Sequence, residues 1–205
     1  MAKTLVPIFI RGIAYIAVVV IVAEVQFLEA RIYHGERMYS EWGHIETVQS
    51  VFLLLCVVLA TLAGRAGAGW RELSVLLALG FGILLIREND QVLELFLPHG
   101  VWKYPAGVLL LIGAWYGWRH RAAVVDQLLR WSGTLSFGVM IAGFMLLLYA
   151  RLFGRTSFWQ AVMDEDYTRR VKNAAEEGTE LMALAVLLVA VVEWWLMARR
   201  SRVAA

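Results

Sequence analysis

Arg87, Glu88 and Asp90 stand together where a long apolar run breaks, and Glu94, His99 and Lys103 follow closely. Side chains of these types can move a proton, hold a cation or grip a phosphate. Glu88 and Asp90 are the candidate bases, and Arg87 and Arg151 the candidate anchors for an anionic group. A helix that enters a bilayer at Arg71 and rises about 1.5 Å per residue leaves a hydrocarbon core about 30 Å thick near Gln91. The charged stretch therefore lies at or just beneath a lipid interface, where an ionised group is costly unless it is paired or hydrated.

Other segments bring polar groups to the same level. Glu24 falls about 20 Å beyond Arg11 along the first apolar run. Glu46 and Gln49 share one helical face at the start of the second run, and Glu177 and Glu180 do so at the start of the last. If these positions converge, Glu24, Glu46, Gln49, Arg87, Glu88, Asp90, Arg151 and Glu180 form a charged pocket for a lipid headgroup or a small polar ligand. Glu41-Trp42-Gly43-His44 has the Glu-x-x-His spacing that offers two ligands to one metal on a helix. Glu41, His44 and His99 are then candidate ligands for a divalent ion such as Zn²⁺, whose bound water would do hydrolytic chemistry. His-Glu-x-x-His, Gly-x-Ser-x-Gly and phosphate-cradling glycine loops are absent from the sequence. Two further readings compete with a lipid-phase enzyme: a proton-coupled carrier that titrates Glu24, and a non-catalytic subunit or assembly factor whose rim pairs with another membrane protein or a second copy. A rim of mutually neutralising ion pairs is the plainest use of the same charges.

The elements that must position these groups are membrane helices. The chain has 205 residues, 60% of them hydrophobic, with mean hydropathy +0.66, above the roughly 45 to 50% of soluble domains. Its net charge of +2 balances 19 cations against 17 acids, which gives no polyelectrolyte character for nucleic acid. Cys56 is the one cysteine, so neither a disulfide framework nor a thiolate cluster forms within the chain.

Six apolar segments, 7–29, 46–63, 72–91, 104–118, 131–150 and 178–198, approach the roughly 20 residues that span a bilayer. They predict an all-α integral membrane protein of about six transmembrane helices, a single domain over 1–205. Lys3, Arg11, Arg65, Arg71, Arg119, Arg121, Arg130, Arg199, Arg200 and Arg202 fall on one side. The arginine density of the short links at 64–71 and 119–130 assigns that side, with both termini, to the cytoplasm and the protein to an inner membrane. Trp70, Trp118, Trp131, Trp194 and Trp195 at that edge read as an aromatic belt. Gly113 and Gly117, with Ala78 and Gly82, read as close-packing positions between the third and fourth segments.

Overall fold

A computed structural model of the chain describes residues 2–32, 43–66 and 68–203. The fold is all-helical, and the described residues contain no strand, as expected where backbone groups must be satisfied within each segment. The helices are α1 (Ala2–Ile32), α2 (His44–Ala66), α3 (Arg71–Glu88), α4 (Asp90–Glu94), α5 (Lys103–Arg119), α6 (Arg121–Ser132), α7 (Leu135–Phe153), α8 (Thr156–Met163) and α9 (Arg169–Val203). Each of the six apolar segments overlaps a helix, although 72–91 crosses the break between α3 and α4 and 131–150 begins in α6 and crosses into α7. Four helices are long and apolar enough to cross a membrane: α1 over Phe9–Ile32, α2, α7, and α9 over Arg169–Arg200. The link at 119–130 is not a simple loop, because α6 occupies it, and α8 fills part of the stretch before α9.

The chain divides into two compact units. One comprises Met1–Thr47 and Phe144–Ala185, the other Val48–Gly143 and Val186–Ala205. In the second unit α3 and α5 interlock through the small residues that the sequence singles out. Leu76 and Leu79 of α3 lie against Gly117 and Gly113 of α5, at 3.6 and 3.7 Å from where a Cβ would stand, while Leu109 of α5 lies against Gly82 of α3. Leucine knobs in glycine holes gain dispersion contact that lipid cannot supply, since lipid tails are as apolar as leucine.

Three of the expected belt tryptophans are core residues instead. Trp194 packs edge-on against Trp70 and Trp131, with ring centroids 5.0 and 4.9 Å apart, and all three are buried. Burial is tolerated because two indole N–H groups find acceptors: Trp194 donates to Ser74 Oγ at 3.0 Å and Trp131 to Ser136 Oγ at 3.1 Å. Ser136 in turn donates to the Ala190 carbonyl. Trp118, by contrast, is exposed. Nearby, Gln127 of α6 accepts from the Leu73 N–H at 2.8 Å and so caps an orphan donor at the start of α3. A close approach of α7 to α9 depends on Gly143, where a Cβ would stand 2.7 Å from the Leu187 side chain.

Candidate functional site

The polar residues predicted to converge are distributed over both units. Glu24, His44, Glu46, Arg151 and Glu180 belong to the first, and Gln49, Arg87, Glu88, Asp90 and His99 to the second. Glu41 lies outside the described residues, as do His34 and Trp42.

In the first unit the centre is an acid that the sequence reading passed over. Glu29, near the end of α1, is wholly buried. Its Oε2 accepts the backbone N–H of His44 at 2.8 Å and faces His44 Nδ1 at 3.3 Å. Glu29 thus supplies from α1 the anionic acceptor that the N-terminus of α2 wants, where unpaired N–H groups and the helix dipole favour negative charge. Gly43 makes the approach possible, because a Cβ there would stand 2.4 Å from Glu29 Oε1. That second oxygen is buried and has no hydrogen-bond partner among the described residues. The signal was present in the sequence: Val22, Gln26 and Glu29 fall at i, i+4 and i+7, on one helical face. Val22 is buried with Glu29, and Gln26 donates to the Gly178 carbonyl of α9 at 3.3 Å.

A second knot joins α7 to α9. Arg151 Nε lies 2.9 Å from Glu180 Oε1, and Arg151 Nη1 lies 3.5 Å from Glu176 Oε1. Glu176 is also paired with Lys172 one helical turn away. Glu180 is buried, whereas the Arg151 side chain is 43% exposed. Its guanidinium is spoken for by two carboxylates, so an incoming phosphate would have to displace them. Glu46 is half-buried at the start of α2.

Glu24 differs from its expected place in an inward pocket. Five residues from Glu29, it lies about 140° away around the helix. It is exposed, and no hydrogen bond or ion pair reaches it among the described residues. Its surroundings are a shallow groove of ≈ 360 Å³ lined by Val20, Ile21, Val25, Phe27, Leu28 and, at one end, Arg31. Arg31 lies over the Phe27 ring, 4.4 Å from its centroid.

In the second unit Arg87, Glu88 and Asp90 are half-buried around the break between α3 and α4, and Gln49 is fully buried. The break is pinned by Asn89, whose amide donates to Ser50 Oγ and to the Leu85 carbonyl, each at 2.9 Å. Beyond it, Glu94 accepts from His99 and from the Gly100 N–H, both at 2.7 Å. Those bonds, the Gly100 one foremost, hold its carboxyl below the usual carboxylate range. The turn needs its glycine, because Gly100 has φ +82°. His99 and His44 each face a single carboxylate. No group of three metal-ligating side chains occurs among the described residues. No family model, curated protein or solved structure matches the chain.

Proposed function

We propose that the chain is a non-catalytic membrane subunit or assembly partner that docks through the outer face of α1 onto a transmembrane helix of another protein. The observation that carries this reading is Glu24, exposed and without a partner among the described residues, on a span whose 18-residue apolar stretch is only 11% buried. An ionised carboxylate against hydrocarbon is expensive. Glu24 stands eight residues from Ile32, about 12 Å along the axis, too deep for its short side chain to reach the interface. A partner cation at that depth would neutralise it. A second copy fits less well, because a two-fold axis along the membrane normal would set Glu24 against Glu24 and Arg31 against Arg31.

The protein sits in an inner membrane with six spans, α1, α2, α3, α5, α7 and α9, and both termini in the cytoplasm. Support for the two shorter spans comes from the interlocked glycines of α3 and α5 and from lengths of about 25 to 27 Å at 1.5 Å per residue. Orientation rests on Arg65, Arg71, Arg119, Arg121 and Arg130 in short links. A photo-reactive side chain at Ile21 or Leu28 should form a protein adduct in native membranes, and one at Val22 should not. Glu24→Leu should abolish the adduct; purely lipidic adducts at Ile21 and Leu28 would count against docking.

A second reading, favoured by the bare Glu29 Oε1, keeps a ligand at the α1, α2 and α9 ends of the first unit. A buried carboxylate oxygen without a donor invites an ammonium or hydroxyl group, including that of a headgroup. Phosphatidylethanolamine can donate such a bond and phosphatidylcholine cannot. Wild-type protein should then be thermally stabilised by the first lipid over the second, and Glu29→Gln should lose the preference.

A further inference from the structure

Within the second unit a groove of ≈ 500 Å³ runs between α2 and α3, a volume ordinary for small-molecule sites. Small residues line it: Gly64 on α2, Ala78 and Gly82 on α3. From Arg71 to Gly82 the α3 wall extends about 16 Å, about half of a 30 Å hydrocarbon core, so the groove has the depth of one leaflet. Its charged groups are confined to one end, where Arg65 and Arg71 line it, with Thr61 and Ser74 about one helical turn further in. Both arginines are exposed, and neither has a hydrogen bond or ion pair among the described residues. The nearest acid in sequence, Glu72, is engaged by Gln127 instead.

Two uncompensated guanidinium groups at the head of a leaflet-deep apolar slot have a definite complement. We infer that the groove binds one anionic glycerophospholipid, its phosphate on Arg65 and Arg71 and an acyl chain along Val57, Ala78 and Gly82. The guanidinium fork suits phosphate oxygens, and each cation near a membrane surface favours anionic lipid. The apolar length selects a lipid over a free phosphate, which would use only the end of the slot. This site is built wholly from second-unit residues.

The test is native mass spectrometry of the delipidated protein titrated with phosphatidylglycerol or with phosphatidylcholine of the same acyl chains. Phosphatidylglycerol should bind roughly thirtyfold tighter, the effect of two arginines. Arg65→Gln with Arg71→Gln should reduce it to the phosphatidylcholine level. Both positions are exposed, so this variant should keep the wild-type circular dichroism and melting temperature. Ala78→Phe, which fills the slot, should weaken both lipids, and glycerol phosphate should compete poorly. Equal binding of the two lipids, an unchanged preference in the double variant, or full competition by glycerol phosphate would each overturn the assignment.

Discussion

α1 and α9 are both candidate membrane spans, yet 56% of an 18-residue apolar stretch of α9 is buried inside the protein against 11% for the corresponding stretch of α1. Sequence explains the difference. α9 offers alanines at 183, 185, 190 and 198 between Leu181, Leu187 and Val191, all buried, and small residues let neighbouring helices approach. α1 presents Phe9, Ile10, Ile13, Ile16 and Val20 outward, and Val22 and Glu29 inward. Exposed apolar side chains are at home in lipid, so they do not by themselves demand a partner. Polar residues do. On α9 Glu176 and Glu180 are tied to Lys172 and Arg151; on α1, Glu29 is tied to His44 while Glu24 has no partner among the described residues. On both helices the covered acids are paired, and α1 adds an uncovered acid with no partner among the described residues.

Four perturbations would break or sharpen this contrast, best read as reversible unfolding in mixed micelles. The largest effect belongs to the buried side of α9, where Leu187→Ala should cost about 2 to 5 kcal/mol by opening a cavity opposite Gly143. A loss below about 0.5 kcal/mol would remove the distinction between the helices. Next, Glu29→Ala on the inward face of α1 should cost about 1 to 2 kcal/mol, because the α2 N-terminus loses its acceptor. Glu94, on the water-exposed turn, shows how a carboxylate behaves outside both helices. Its folded value is depressed, so its contribution is complete above the ordinary 4.5 and is lost as pH falls through the lower folded value. Protease nicking near Gly100 should therefore rise only below that pH. The smallest effect should come from Glu24→Leu, within about 0.5 kcal/mol for the isolated chain, since no contact inside the protein is lost.

Much of the helical layout is legible in the sequence, because six apolar runs near membrane length admit little besides helices. α6 and α8 escaped that reading because each is too short and mixed to register as an apolar run. Gly113 and Gly117 announced their packing role, since small residues four apart on an apolar helix have few other uses. The tryptophans misled for a physical reason. Trp70, Trp131 and Trp194 sit near the ends of apolar runs, as belt residues do, and only Ser136 and the sequence-distant Ser74 reveal that two of their N–H groups are satisfied in a core. Among the acids, depth was readable and direction was not. Glu24 and Glu29 lie about 7.5 Å apart along α1, and the turn of the helix sends one inward and the other out.

The most direct test of the docking face uses the purified chain in lipid vesicles with a leucine-rich transmembrane host peptide carrying one lysine at the depth of Glu24. Energy transfer between labelled protein and peptide should show association about tenfold tighter than for the all-leucine peptide, an advantage that Glu24→Gln erases. Equal association of the two peptides, or an advantage that survives in Glu24→Gln, would contradict the assignment of that face to a cation-bearing partner helix.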